Sequence, residues 1–273
     1  MPDATSPIGI FDSGAGGLAV LAEVRRLLPG EDIIYFADTA YFPYGPRPAA
    51  EIRARAEAVT RELQARGAKL IVVACNTATS AAIAHLRATF DVPFVGMEPA
   101  LKPAAERTLS GKVALLVTPG TARGQKLAAL IDRYGAEVSV QTIEAPGLAE
   151  RVEAGDAGGE ATRDLLRRYL APVRASGADV LVLGCTHYAF LRETIDREVG
   201  GGVEVIEPSE AIARQVKRVL SDRRLRNPRA EGGGVLYLCS GDETAFAALR
   251  RRLEAGSAMR EAGSSGGAAS RNV

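Results

Sequence analysis

The chain has 273 residues, a formal net charge of +1 and three cysteines, and these properties exclude several classes of protein. A near-neutral charge offers no general attraction to nucleic acid, so direct nucleic-acid binding is not expected. Three cysteines in so long a chain do not make a disulfide framework. No apolar stretch reaches the ~18 residues of a membrane span, and no secretory signal is recognisable. We therefore expect a cytoplasmic protein without a membrane partner.

In chain order, short aliphatic segments alternate with longer amphipathic segments. The predicted strands are 8–11, 32–37, 70–74, 93–96, 112–117, 137–141, 180–184, 203–206 and 235–239. The predicted helices are 17–28, 48–66, 77–90, 100–108, 122–134, 148–154, 161–176, 188–198, 209–220 and 243–254. Such an alternation predicts an α/β fold, with doubly wound parallel sheets covered by helices on both faces. Ligands of such folds bind beyond the carboxyl ends of the strands.

Two cysteines occupy matching positions in the two halves of this pattern. Cys75 follows the predicted strand 70–74, and Cys185 follows 180–184. A Glu-Pro pair follows each cysteine, with its glutamate 23 residues after Cys75 and 22 residues after Cys185. Any two strand–helix–strand units could share such a spacing, but the shared cysteine and Glu-Pro pair favour an internal duplication. We therefore predict two pseudo-symmetric domains with the active site in the cleft between them.

The Glu-Pro pairs also predict where the chain crosses between domains, because proline cannot continue a strand and restricts the residue before it. We expect one discontinuous domain at 1–98 plus 208–255, because the last strand needs a sheet to join, and an inserted domain at 99–207. A simple split into two consecutive segments is the alternative. Residues 256–273 are rich in glycine, serine and alanine and are predicted to form a disordered tail.

Cys75 and Cys185 are candidate acid–base residues. A thiol between a strand and a helix N-terminus gains thiolate character from the unpaired backbone N–H groups. For Cys75 alone, a buried structural cysteine would be the preferred interpretation. The equivalent position of Cys185 favours two reactive thiols that face one ligand. A redox dithiol is an alternative, but it needs Cα atoms ~4.4–6.8 Å apart, which a ligand between the thiols would prevent.

Two further ionisable residues stand at the same strand ends. His187 could tune Cys185 or relay its proton, or it could only pack at the helix start. A metal bound by this pair is a competing idea, but no Cys-x-x-Cys or paired-His spacing completes a tetrahedral site, so no metal is predicted. Asp12 could orient an ammonium group or a thiol proton, or cap the following helix. The glycines after Asp12 do not have the spacing of a dinucleotide fingerprint.

Six motifs of the chain resemble those of glutamate racemases, in the cofactor-independent aspartate/glutamate racemase superfamily. They are Phe-Asp-Ser-Gly-x-Gly-Gly-Leu at 11–18, Asp-Thr then Pro-Tyr-Gly at 38–45, Ala-Cys-Asn-Thr-Ala at 74–78, Glu-Pro at 98–99, Gly-Cys-Thr-His-Tyr at 184–188 and Glu-Pro at 207–208. They occur in family order across about residues 8–250. The resemblance implies two α/β domains related by a pseudo-twofold axis, a site between them and no cofactor.

The resemblance also implies the reaction and the residues that perform it. Racemisation removes the α-proton from one face of glutamate and returns a proton to the other, so one thiolate base and one thiol acid are needed. By resemblance, Cys75 deprotonates D-glutamate and Cys185 deprotonates L-glutamate, with assistance from Asp12, His187 and Glu153. An exposed helix glutamate is the other interpretation of Glu153. The implied substrate-binding residues are Asp12, Ser13, Tyr44, Gly45, Asn76, Thr77, Thr186 and His187.

The same resemblance implies that the protein supplies D-glutamate for peptidoglycan biosynthesis, and it leaves two alternative functions open. A sister racemase that acts on aspartate would share the cysteine pair. A binding or regulatory protein on this scaffold could contact a macromolecule such as DNA gyrase, as some members of the family do. Members of the family are often dimeric, so a homodimer is expected.

Overall fold

In the computed structural model, which describes residues 2–135 and 137–265, a strand forms at each of the nine predicted positions. The strands are β1 (Ile8–Asp12), β2 (Ile33–Ala37), β3 (Leu70–Val73), β4 (Phe94–Gly96), β5 (Lys112–Val117), β6 (Ser139–Glu144), β7 (Val180–Gly184), β8 (Glu204–Ile206) and β9 (Val235–Cys239). Strands β1, β3 and β7 are buried along their whole length. This burial explains why they read as continuous apolar runs.

Helices connect the strands. They are α1 (Leu18–Leu27), α2 (Ala49–Ala65), α3 (Asn76–Thr89), α4 (Leu101–Arg107), α5 (Pro119–Ala122), α6 (Gln125–Tyr134), α7 (Leu148–Glu153), α8 (Glu160–Ser176), α9 (Arg192–Val199), α10 (Ser209–Asp222) and α11 (Glu243–Ser265). Two 3₁₀ helices span Thr39–Tyr41 and Thr186–Leu191.

The helices differ from the sequence prediction in two places before the last one. The segment predicted as one helix at 122–134 forms α5 and α6, because Thr118 caps a first short helix and Gly124 is the N-cap residue of a second. The segment predicted as a helix at 188–198 starts earlier, as the 3₁₀ helix directly after Cys185, and becomes α-helical only at Arg192. This 3₁₀ turn brings His187 close to Cys185.

The end of the chain also differs from its prediction. Helix α11 runs from Glu243 to Ser265, whereas the sequence predicted a helix only to 254 and a disordered tail from 256. The backbone of 256–265 therefore continues the helix. The rest of the predicted tail, 266–273, lies outside the described residues.

The strands form two parallel sheets with the same internal order. The first sheet has the order β4-β3-β1-β2-β9, and the second, read in the same sense, has the order β8-β7-β5-β6. In the first sheet Ile8 pairs with Leu70, and in the second Val113 pairs with Val180. These matching registers confirm the predicted fold class of two pseudo-symmetric parallel-sheet α/β domains. They also place the cysteine after β3 and the cysteine after β7 at equivalent positions.

The described residues also lack two kinds of feature. No helix among them is both long enough and apolar enough to cross a membrane. No group of three or more histidine, cysteine, aspartate or glutamate side chains in the described part of the chain is placed to hold a metal ion.

Candidate active site

A cavity of about 130 Å³ lies between the domains, and both candidate thiols line it. The predicted site residues that line it are Ser13, Tyr44, Gly45, Cys75, Asn76, Thr77, Cys185, Thr186 and His187. Asp12 and Glu153, which were also predicted, are not among the lining residues. Cys75 comes from the first domain and Cys185 from the second, so the cavity brings together residues 110 positions apart in the sequence.

The thiol of Cys75 caps helix α3. Its sulfur accepts a hydrogen bond from the backbone N–H of Ala78 at 3.5 Å and lies 3.8 Å from Oγ of Ser13. Burial raises the pKa of the Cys75 thiol well above its ordinary value, and the nearby carboxylate of Asp12 raises it further. Both effects outweigh the hydrogen bond from Ala78, so Cys75 favours the protonated form at neutral pH.

Asp12 stands at the end of β1 and is fully buried. Its Oδ2 accepts the backbone N–H of Gly17 at 2.9 Å, and its Oδ1 has no hydrogen-bond partner among the described residues. Burial raises the pKa of the Asp12 carboxyl, although the charge of His187 opposes this effect. A buried carboxyl with a free oxygen beside Cys75 is suited to hold or pass on a proton.

The side chains of Cys185, His187 and Glu153 contact one another in series. Sγ of Cys185 lies 3.8 Å from Nδ1 of His187, and Nε2 of His187 lies 2.7 Å from Oε1 of Glu153. Burial alone would lower the pKa of His187, but the interactions with Cys185 and Glu153 outweigh it and raise the pKa well above its ordinary value. The geometry therefore favours a protonated imidazole between the carboxylate and the sulfur.

Asn76 offers polar atoms that the protein leaves unused. It directly follows Cys75 and is buried against the cavity, yet neither its Oδ1 nor its Nδ2 has a partner among the described residues. An unpaired buried amide is unfavourable unless a ligand completes its hydrogen bonds. Asn76 is therefore a strong candidate for contact with a polar ligand.

The hydroxyl group of Tyr44, unlike the amide of Asn76, already has a hydrogen-bond partner in the protein. That hydroxyl donates to Oδ2 of Asp38 at 2.5 Å, and Arg55 binds both carboxylate oxygens of Asp38, at 2.8 and 3.1 Å. Burial raises the pKa of Tyr44, and Asp38 adds to this effect. Because the hydroxyl is engaged, Tyr44 and the adjacent Gly45 can meet a ligand through the ring and the backbone.

Sequence reasoning missed the threonine at the end of β5. Thr118 lines the cavity, and its Oγ1 lies 2.9 Å from Oγ1 of Thr77 in the other domain. Thr118 is the equivalent of Ser13 in the second sheet. Ser13 lies five residues after Ile8, which pairs with Leu70, and Thr118 lies five residues after Val113, which pairs with Val180. The strand–loop units Ile8–Gly14 and Val113–Gly120 resemble each other weakly in sequence, and this resemblance was the signal that could have found Thr118.

Two matched α/β domains that each present a thiol to one cavity define an α/β enzyme that acts on a small ligand between its domains. The sequence model of the Asp/Glu/Hydantoin racemase family matches residues 8–216. The chain therefore belongs to this racemase family.

Individual relatives agree with this assignment. The glutamate racemase of Herpetosiphon aurantiacus is 49% identical over 248 residues, which cover 91% of this chain and 98% of the relative. Among solved structures, glutamate racemase isoform RacE1 of Bacillus anthracis matches with a TM-score of 0.83 and 30% identity over 92% of this chain and 94% of that one. Escherichia coli glutamate racemase, solved with L-glutamate and the activator UDP-MurNAc-ala, matches with a TM-score of 0.81 and 35% identity over 92% and 95%.

Proposed function

We propose that this chain interconverts L-glutamate and D-glutamate, with Cys75 and Cys185 as the two acid–base residues. The observation that carries the proposal is that the two thiols line one cavity from equivalent positions in the two sheets. A pseudo-symmetric pair of groups suits substrates that are mirror images at one carbon. The names of the relatives supply the choice of glutamate.

In the direction from L- to D-glutamate, the thiolate of Cys185 removes the α-proton from one face. The thiol of Cys75 then gives its proton to the α-carbon from the opposite face. The products are D-glutamate, a Cys185 thiol and a Cys75 thiolate, so the reverse reaction starts from the opposite protonation state. Each direction transfers one proton to the protein and one from it.

The surroundings of the thiols support this assignment. The raised pKa of Cys75 suits a group that begins as the acid. On the other side, protonated His187 stabilises negative charge on the Cys185 sulfur 3.8 Å away. Glu153 is a positioning residue, because it holds the imidazole of His187 beside Cys185. In the reverse direction, where Cys75 acts as the base, Asp12 is the buried carboxyl that assists it.

Substrate binding would use the polar side chains of the cavity wall. The free amide of Asn76 and the hydroxyls of Ser13 and Thr186 are placed to bind the carboxylates and the ammonium group. Fixed hydrogen-bond donors in the site also stabilise the negative charge that develops when the α-proton leaves. No lysine lines the cavity in the described structure, and the proposed reaction uses no cofactor.

The wider role follows from the proposed activity. We place the protein in the cytoplasm, where it would supply D-glutamate for peptidoglycan biosynthesis, and we propose that it forms a homodimer. The domain limits that we propose are 1–98 plus 208–255 for the first domain and 99–207 for the second, consistent with β9 pairing with β2.

The decisive experiment incubates the protein with L-glutamate in deuterated water. Circular dichroism should show loss of the optical signal, and NMR should show deuterium at the α-carbon. The Cys75→Ser and Cys185→Ser variants should each lose racemisation, whereas Cys239→Ser, at the end of β9, should keep it. Full activity in either of the first two variants would refute the two-base assignment. Faster turnover of aspartate than of glutamate would show that aspartate, not glutamate, is the preferred substrate.

A further inference from the structure

A second groove, of about 380 Å³, adjoins the active-site cavity and shares Thr77 with it. Three arginines line this groove, and we refer to it as the arginine groove. Arg47 and Arg53 belong to the first domain, and Arg123 belongs to the second. The groove therefore spans the same domain boundary as the active-site cavity.

The charge of the arginine groove is positive and only partly neutralised. Among the described residues, no acidic side chain lines it, and the carboxylate of Glu51 pairs with Arg47. Arg123 donates to the backbone oxygen of Gly45 at 3.4 Å, which leaves its charge uncompensated. Arg53 makes no ion pair or hydrogen bond within the described part of the chain. Because the whole chain carries a net charge of only +1, this concentration of positive charge is a local property.

Two helix N-termini add to the positive potential. Helix α2 begins at Ala49 and helix α6 begins at Gln125, both residues line the groove, and neither helix has a side-chain N-cap. Their first backbone N–H groups therefore remain available to an anion. The hydroxyl of Ser80, which also lines the groove, has no partner among the described residues.

The boundary between groove and cavity is made by contacts between the domains. Thr77 Oγ1 lies 2.9 Å from Thr118 Oγ1 of the other domain. Beside it, the loops approach so closely that a Cβ on Gly120 would lie 2.7 Å from the backbone oxygen of Gly45. Separation of the domains would break these contacts and open a path from groove to cavity.

We infer that the arginine groove binds a carboxylate of the amino-acid substrate outside the cavity and so raises its local concentration at the entrance. This inference rests on the proposed function, because that function supplies an anionic substrate. Glutamate carries two carboxylates and one ammonium group at neutral pH, and its net negative charge complements the arginines. Positive potential near a cleft increases the capture of such a ligand and weakens as salt screens it.

A kinetic test removes one charge at a time. Arg53→Gln should lower kcat/KM for L-glutamate about two- to fivefold at an ionic strength of about 0.01 M. The difference should shrink at about 1 M, where the screening length falls to ~3 Å, and kcat should not change. Arg218→Gln is the matched control, because this exposed arginine of α10 also has no partner among the described residues. Equal kcat/KM values for the two variants at low salt would overturn the inference.

A binding test does not depend on turnover. Glutarate, a dicarboxylate, and glutaramide, its neutral diamide, are titrated into the intact protein while the Nε–H signals of its arginines are followed by NMR. The Arg53→Gln and Arg218→Gln variants assign the two relevant signals. The Arg53 signal should shift with glutarate, not with glutaramide, and the Arg218 signal should shift with neither.

The two proposals fail separately in these experiments. An Arg53 signal that ignores glutarate would refute the groove even if the protein racemises glutamate. A shift of Arg53 in a protein that does not exchange the α-proton of glutamate would refute the racemase function and leave only an anion site.

Discussion

Oε1 of Glu153 lies 2.7 Å from Nε2 of His187 and also accepts the backbone N–H of Ala15 at 2.5 Å. A single carboxylate oxygen in the second domain thus contacts both the imidazole beside Cys185 and a loop of the first domain. The same oxygen therefore connects the imidazole of His187 to a contact between the two domains.

Replacing Glu153 by glutamine should lower the pKa of His187. The carboxylate is one of the interactions that raise this pKa above its ordinary value of ~6.5. In the variant, the imidazole should therefore lose its proton at a lower pH, and the alkaline limb of the kcat/KM profile for L-glutamate should move down with it. Imidazole NMR can follow this titration, because the chain has only two histidines and His85→Gln assigns them.

The same change should reduce stability in a defined range of pH. A histidine whose folded pKa is raised contributes stability that is fully present below ~6.5 and is lost as the pH rises through the folded pKa. Denaturation of the wild type and Glu153→Gln should differ most at acid pH and converge at alkaline pH. Glu160→Gln, at the exposed start of α8, is the control. An unchanged His187 titration in Glu153→Gln would contradict the proposed link.

Asp12→Asn should make Cys75 react at lower pH. Burial is the main cause of the raised Cys75 pKa and remains in the variant, but the negative charge of Asp12 is removed. The asparagine oxygen can still accept the N–H of Gly17, so the loop should keep its shape. The measurement is the rate of alkylation by iodoacetamide against pH, in a Cys185→Ser, Cys239→Ser background.

The alkylation experiment has a simple control. Asp164→Asn removes an exposed carboxylate that pairs with Arg167 on α8, and it should leave the Cys75 profile unchanged. If Asp12→Asn and Asp164→Asn gave the same profile, the carboxyl of Asp12 would not influence the thiol.

The sequence was sufficient to predict the two sheets and the thiols. The aliphatic runs before Cys75 and Cys185 are long because those strands are buried on both faces, and this signal is local. Their pairing in one cavity could be predicted because the unit is repeated. The structure then places both of them at equivalent strand ends, as the repeat implied.

Other parts of the site depend on contacts that no local pattern encodes. Glu153 could be an exposed helix residue by its own sequence context, and only the packing of α7 against the 3₁₀ helix brings it to His187. Similarly, Arg55 lies in the middle of α2 with nothing in its surroundings to indicate a buried partner. Its contact with Asp38 arises from tertiary packing between residues 17 positions apart.

Replacing Arg55 by glutamine should destabilise the loop that carries Tyr44. Asp38 is fully buried and would lose its cationic partner, and breaking such a buried pair destabilises proteins by about 3 kcal/mol. We expect a lower free energy of unfolding and a higher KM, because Tyr44 donates to the same carboxylate. Adding Asp38→Asn removes the unpaired charge and should recover part of the loss. A double-mutant cycle by chemical denaturation measures this coupling; additive losses would show that the pair acts independently.

Gly16→Ala tests how closely the domains must approach at the second thiol. A Cβ at this position would lie 2.4 Å from Nδ1 of His187 and 2.6 Å from Oγ1 of Thr186, so one of these side chains has to move. Such overpacking destabilises a buried site by about 1–3 kcal/mol. Since displacement of a reacting group by about 1 Å can reduce rates ~100-fold, kcat/KM should fall more than stability alone explains. Gly202→Ala is the control, because a Cβ there meets no atom within 4 Å. Equal racemisation rates for the two variants would mean that the space beside His187 is not needed for the reaction.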